Sequence, residues 1–228
     1  MAFIRPYKPL DFDDTAHICR ATLPPSLARS EEARRTAPYI WTHQYTLLSP
    51  STCHVLDDGT GRVVGYCIGC PDVEAFAAAY PRYVSEVLEA SEELKGRRPK
   101  SLEVQAPWTK EDGEVNEEAL LQQAWNPVWL VLDPSRRELW GQWKGTMHID
   151  LLEEFQGKGW GRKLIGKFAE SLRAVDGESA GEGRVFGKGW HIGVGGENGK
   201  VVAFYEKMGF RVWPSGEKGS IWMVRDIE

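Results

Sequence analysis

Apolar positions along the 228-residue chain recur with a helical period in some stretches and a period of two in others. Ala2 to Arg5 reads as a short strand. Asp11 is placed to N-cap a helix whose apolar face is Phe12, Ala16, Cys19 and Leu23, ended by Pro24-Pro25. A second helical stretch, about 30–37, leads into an aromatic segment from Tyr39 to Tyr45. Ser51 to Leu56 and Arg62 to Cys70 read as strands joined by the hairpin signal Asp58-Gly59-Thr60-Gly61. From Thr146 the period is two again: Met147, Ile149 and Leu151 alternate with Thr146, His148 and Asp150. The helix that follows carries Leu164, Ile165, Phe168, Ala169 and Leu172 on one face. A loop at 177–189 is expected to hold a short strand at Arg184 to Phe186. Trp190 to Val194 is a strand, and Val201, Phe204, Tyr205 and Met208 line the last helix, stopped by Gly209. Phe210 to Trp213 and Ile221 to Ile227 close the chain as an antiparallel pair.

Between these regular halves lies a less regular segment, about 71–143. Its first part is helical, with Phe76, Tyr80, Tyr83, Val84, Val87 and Leu88 on one face and Pro81 interrupting. Polar sequence follows, then a helix near Glu117 to Trp125. This segment reads as an insertion built onto one domain spanning 1–228. Five of the ten tryptophans, Trp108, Trp125, Trp129, Trp140 and Trp143, fall in it, as a cleft wall or as the insertion's own packing.

Composition narrows the classes. Hydrophobic residues are 42% and charged residues 27%, enough for a packed core. Lys plus Arg number 28 against 33 Asp plus Glu, a net charge of -5, which argues against a general nucleic-acid binder. No apolar run has the length of a membrane span, and Pro6 and Lys8 come too early for a signal-peptide core. A cytoplasmic protein is expected, with the nucleus left open. Cys67 and Cys70 form a C-x-x-C inside the apolar run Val63 to Cys70, with no second pair to complete a tetrahedral site. They read as structural thiols, and no metal is expected.

Thirteen of the 24 glycines fall between Gly157 and Gly199. The stretch Leu151-Leu152-Glu153-Glu154-Phe155-Gln156-Gly157-Lys158-Gly159-Trp160-Gly161-Arg162 runs from a strand into a helix with glycines at alternate positions. Such a loop turns successive N–H groups toward one point, and the helix dipole adds positive potential, which makes a pyrophosphate cradle. It is not a P-loop, having no Gly-Lys-Ser/Thr, and the dinucleotide spacing lacks its third glycine. Lys158, Arg162, Lys163 and Lys167 supply charge for a ligand with several phosphates. The alternative is a glycine-rich loop that merely closes a strand–helix corner.

Gln156 to Gly161 resembles the Q/R-x-x-G-x-G/A coenzyme A loop of the GNAT acetyltransferase superfamily. Asn198-Gly199-Lys200-Val201-Val202-Ala203-Phe204-Tyr205-Glu206-Lys207-Met208-Gly209-Phe210 resembles that superfamily's N-x-x-A-x-x-x-Y-x-x-x-G-F helix, with Val201 in place of the usual Ala. Gly65-Tyr66, Pro71-Asp72, His148 to Leu152 and His191 to Val194 are similar to the branch of the O-GlcNAcase C-terminal acetyltransferase-like domain and its free-standing bacterial relatives. The resemblance implies an α/β fold, a mixed twisted sheet with helices on both faces. It implies acetyl-CoA as co-substrate and an amine acceptor, whether small molecule, amino sugar or peptide. Ile149, Asp150 and Leu151 would bind the pantetheine arm and acetyl carbonyl through a splayed strand. Gln156, Gly157, Lys158, Gly159, Trp160, Gly161 and Arg162 would hold the pyrophosphate, and Asn198 the coenzyme arm. Tyr205 sits at the family's general-acid position, although it also belongs to the helix's apolar face.

Some ribosomal-protein acetyltransferases carry a glutamate base five residues before the Asn, where this chain has Gly193. A base is therefore sought elsewhere. His148 and Asp150 share one face of their strand, His191 lies on the same face as Gly193, and a histidine beside a carboxylate takes up a proton near neutral pH. The competing reading is that His148 and Asp150 only hydrogen-bond across the splayed sheet. The rival to an enzyme is a coenzyme-binding or protein-recognition module without turnover.

Overall fold

The computed structural model describes residues 1–178, 183–216 and 219–227. Seven strands among them form one mixed sheet: β1 (Phe3–Pro6), β2 (His54–Asp57), β3 (Val63–Cys70), β4 (Gly145–Leu151), β5 (Gly189–Gly195), β6 (Arg211–Trp213) and β7 (Ser220–Asp226). Their spatial order is β1-β2-β3-β4-β5-β7-β6, and only β4 and β5 run parallel. The N-terminal helices are α1 (Phe12–Ala21), α2 (Pro25–Ala28), α3 (Glu31–Trp41) and α4 (His43–Leu48). The segment 71–143 holds α5 (Val73–Ala78), α6 (Tyr80–Tyr83), α7 (Glu117–Trp125), α8 (Val128–Val131) and α9 (Arg137–Trp140), and α10 (Trp160–Glu178) and α11 (Val202–Lys207) follow.

Helices cover both faces. α1 and α4 pack against β3 on the side that carries Tyr66, whose hydroxyl lies 3.5 Å from Thr42 between α3 and α4. α10 packs on the other side, where Leu164, Ile165, Phe168, Ala169 and Leu172 are all buried. Phe168 presses so close to the sheet that a β-carbon on Gly69 would sit 2.9 Å from its ring. The segment 71–143 joins the same apolar cluster through Tyr80, Tyr83, Leu88, Leu94, Leu120 and Trp125. Tyr83 donates to the Tyr39 carbonyl at 2.8 Å and Tyr80 reaches Gln44 Oε1 at 2.7 Å, so it is fastened to α3 and α4. Among the described residues no helix is long and apolar enough to cross a membrane.

Several local expectations change. Asp11 precedes α1 but does not cap it; its carboxylate takes Arg5 at 2.7 and 2.9 Å and the Lys8 N–H at 2.8 Å. An arginine bidentate to a carboxylate outcompetes a neutral N–H cap. The second helix starts as expected, with Ser30 accepting from the Ala33 N–H, but continues through Pro38 to Trp41. Pro38 cannot donate to the Arg34 carbonyl, and Arg20 Nε fills that acceptor at 3.0 Å. No strand forms at Arg184 to Phe186; the neighbouring Gly187 makes one isolated bridge to Trp143. Part of that loop, 179–182, lies outside the described residues. Phe204 is 37% exposed, so the apolar face of α11 is narrower than its sequence implies.

His43, at the start of α4, is buried, stacked on Phe12 with ring centroids 3.6 Å apart, and its Nδ1 has no hydrogen-bond partner. Burial, and secondarily the Arg20 charge, lowers its pKa to about 3. A histidine held neutral in the fold takes up its proton on unfolding, so its contribution is intact above the ordinary value of ~6.5 and is lost as pH falls from there toward the folded value. We expect His43→Phe to flatten the fall in unfolding free energy between pH 7 and 4 by roughly 3 kcal/mol, measured by denaturant titration. An unaltered slope would mean that His43 is not the group responsible.

Candidate active site

Parallel pairing of β4 with β5 covers only two positions, Gly145 with Trp190 and Thr146 with His191. Both strands run on, to Leu151 and Gly195, so their facing edges part. Exposure follows the parting: Gly145, Thr146 and Met147 are buried, and His148 to Leu151 are partly exposed. A strand edge freed in this way offers backbone N–H and C=O groups that an extended ligand can pair. On its other edge β4 stays in register with β3, Tyr66 opposite Asp150 and Ile68 opposite His148. Alternation therefore puts His148 and Asp150 on the Tyr66 face and Ile149 and Leu151 on the α10 face.

Three polar side chains meet on the first face. His148 Nε2 lies 2.8 Å from Asp150 Oδ2, and the Tyr66 hydroxyl donates to the same oxygen at 2.7 Å. The His148 and Asp150 side chains keep 34% and 20% exposure, so the pair opens to solvent at the mouth of the cleft. Tyr66 is fully buried; burial first, then the Asp150 charge, pushes its phenol well above the ordinary range and keeps it a donor. Tyr205 approaches from α11. Burial raises its phenol too, with Asp150 and Cys67 adding to the effect, so its proton is available near neutral pH. Its ring also packs edge-on against Phe204 and Phe210, at 5.2 and 5.4 Å. Packing and proton donation coexist in this side chain.

The glycine loop follows β4 after one 3-10 turn, Glu153–Phe155. Gln156 Nε2 donates to the Leu151 carbonyl at 2.8 Å and ties the loop to the strand. Gly157 and Gly159 have φ of +70° and +80°, and β-carbons there would meet nothing within 4 Å. Backbone conformation, not crowding, selects glycine at both. At Gly161 crowding decides: a β-carbon would lie 3.1 Å from Phe204 Cζ, where α10 and α11 approach. Residues 156–159 are exposed, and the first-turn N–H groups of α10 have no partner within the helix. Lys158 Nζ sits 5.7 Å from the Phe155 ring and Lys163 Nζ 4.3 Å from that of Trp160, with Arg162 exposed beside them. An exposed, cationic ring of N–H donors fits a pyrophosphate group. Lys167 does not belong to it: it lies roughly 10 Å further along the helix and pairs with Glu170 at 2.7 Å. Asn198 is partly buried in the turn between β5 and α11.

Other candidates are not brought to the site. His191 shares the sheet face of His148, but it is buried with Nδ1 2.6 Å from the Trp143 carbonyl, and burial lowers its pKa to about 4. The space over Gly193 is filled by Trp222 of β7, whose indole would lie 3.0 Å from a β-carbon there. Arg136 in turn stacks over Trp222 at 4.3 Å. Cys67 and Cys70, three apart on β3, face opposite sides of the sheet; all four cysteines are free and buried. Of the tryptophans in the segment 71–143, Trp125 and Trp143 are buried, the first beneath Arg98 at 4.7 Å, and Trp108 is 40% exposed. Thr42 and Trp222 escape a reading by motif. Tyr66 stands in the Gly65-Tyr66 similarity without a role; only the register of β3 on β4 places it opposite Asp150.

No protein-family model matches the chain. Solved structures match it end to end. The crystal structure of SsHAT is 24% identical with a TM-score of 0.75, covering 99% of this chain and 98% of that one. PaiA N-acetyltransferase from Thermoplasma acidophilum, in complex with coenzyme A, is 12% identical with a TM-score of 0.53, covering 100% and 99%. PH1933 from Pyrococcus horikoshii OT3 is 14% identical with a TM-score of 0.55, covering 100% and 99%. The fold is that of the GNAT acetyltransferases, a mixed α/β sheet whose central parallel strands part. Within that fold the chain is similar to SsHAT over 99% of its length.

Proposed function

We propose that this chain is an acetyl-CoA-dependent N-acetyltransferase that moves the acetyl group directly to an amine. The observation that carries the reading is the His148–Asp150 pair, 2.8 Å apart, on the strand that parts from β5 and leads, through the turn Glu153–Phe155, into the Gly157–Arg162 loop. The coenzyme A held by a neighbour of the same fold, PaiA, supports it. The thioester supplies an activated acyl carbon and a thiolate leaving group. The chain's own residues do the rest. The loop N–H groups and Lys158, Arg162 and Lys163 hold pyrophosphate; the free edge of Ile149, Asp150 and Leu151 pairs the extended arm, with Asn198 beside it. His148, oriented by Asp150, takes the first proton of the incoming ammonium; Tyr205 gives its hydroxyl proton to the departing sulfur and recovers one from the amine nitrogen as the amide forms. Acceptors to be tested are small amines, amino sugars and peptides. Four free cysteines suit the reducing cytoplasm.

Thiol release from acetyl-CoA across an amine panel tests the activity, and Tyr205→Phe tests the acid. Phenylalanine keeps the packing and removes the proton, so turnover should fall about 10–100-fold while calorimetry shows coenzyme affinity nearly unchanged. Equal turnover would leave Tyr205 a packing residue. Coenzyme binding without thiol release for any amine would make the chain a binding module.

A further inference from the structure

The His148–Asp150 pair does not stand alone on its sheet face. Asp150 Oδ2 accepts from the Tyr66 hydroxyl at 2.7 Å and faces His148 Nε2 at 2.8 Å. Tyr66 has one proton and commits it to Asp150, so in its 3.5 Å contact with Thr42 Oγ1 the threonine hydroxyl is the donor. Thr42 is buried at the break between α3 and α4, where its φ and ψ of -130° and -69° leave the helical range. Cys19 of α1 touches both hydroxyls, and burial pushes its thiol up to about 12, so no second charge enters the cluster. A line of neutral donors thus runs from the N-terminal helices to one carboxylate oxygen.

We propose that Tyr66 is a positioning residue, which fixes Asp150 from below so that His148 is held with its proton on Nε2 and its Nδ1 lone pair free for the acceptor amine. The inference rests on the reading of His148 as base. Its physical content is the tautomer. An ionised carboxylate only accepts, so its charge 2.8 Å from a His148 nitrogen favours the tautomer with the hydrogen on that nitrogen. That holds only while the carboxylate cannot rotate away, and β4 at this point has lost its neighbour β5. Tyr66, buried in β3 on the paired side, is the contact that replaces the missing strand as a constraint. Without its hydroxyl, Asp150 Oδ2 loses a desolvated donor and the imidazole is free to populate both neutral tautomers.

The test needs no acceptor. Nitrogen-15 NMR of the five imidazoles, with His148 assigned by His148→Gln, reads the tautomer directly. The wild type should show His148 almost wholly as the Nε2–H form. Tyr66→Phe should bring the Nδ1–H form up to a comparable share, with coenzyme affinity unchanged. With an acceptor in hand, turnover should fall roughly 10–100-fold, as for other residues that act by orienting a histidine. Should Tyr66→Phe not fold, the wild-type chain still reports: the buried Tyr66 hydroxyl proton should appear far downfield and move upfield in Asp150→Asn. A tautomer indifferent to Tyr66→Phe, or a hydroxyl proton indifferent to Asp150→Asn, overturns the inference. If Asp150→Asn alters neither turnover nor tautomer, the base itself is misassigned. If Asp150→Asn acts and Tyr66→Phe does not, only the role of Tyr66 falls.

Discussion

Asp150→Asn lowers the maximal rate on a true amine acceptor by roughly 10²–10⁴-fold, the range expected when a general base loses its orienting carboxylate. The substitution keeps volume and shape but turns one oxygen into an amide nitrogen. Asp150 Oδ2 now accepts the Tyr66 hydroxyl at 2.7 Å and lies 2.8 Å from His148 Nε2. In the variant that geometry survives only if the amide oxygen faces both donors. If the amide nitrogen turns to His148, the imidazole must accept, and its hydrogen moves to the nitrogen that should take the substrate's proton. The rise of rate with pH should then shift or disappear. Coenzyme affinity should stay similar, because the acidic side chain lies on the Tyr66 face, away from the loop that follows β4. A pH–rate profile and a calorimetric titration check the two halves. An unchanged profile removes Asp150 from the mechanism.

Gly159→Val should weaken coenzyme binding at least about tenfold, or ~1.4 kcal/mol. Gly159 has φ of +80°, a conformation that costs a β-branched residue on the order of 1–3 kcal/mol. The space around it is open, so valine clashes with nothing in the free protein. The chain escapes strain by turning the loop, and its N–H groups then no longer converge. Stability should change little, since residues 156–159 are exposed. Gly161→Val is the wrong variant for this purpose, because its side chain would strike Phe204 and disturb the contact between α10 and α11. Unchanged affinity in folded Gly159→Val would put the coenzyme site elsewhere.

Most of the scaffold can be read from local pattern. The strand at 145–151, the helix whose buried face runs from Leu164 to Leu172, and Gly209 at φ +85° each follow from period or from one glycine's freedom. So does the proximity of His148 and Asp150, since residues two apart on a strand share a face. What sequence could not supply is everything that depends on register between distant segments. Tyr66 meets Asp150 because β3 pairs antiparallel with β4 across 84 positions of chain. Pro38 looks like a helix stop until Arg20 is seen to satisfy the carbonyl it strands. Asp11 looks like a cap until β1 brings Arg5 to it. His191 has the right face, yet the Trp143 carbonyl takes its ring nitrogen, a contact between segments 48 residues apart.

The indole of Trp222 above Gly193 bears on how this site can change over time. A side chain at 193 would start 3.0 Å from that ring, so a glutamate there forces the indole to give way by a few tenths of an ångström. Removing Trp222 first would strip the Arg136 guanidinium of the ring it rests on, 4.3 Å away, and open a hole beside buried His191. Each single step is unfavourable although the double replacement is sterically allowed. The two positions therefore form an epistatic pair that makes the choice of proton acceptor historically sticky. A library that varies them jointly should recover carboxylates at 193 more often alongside small residues at 222.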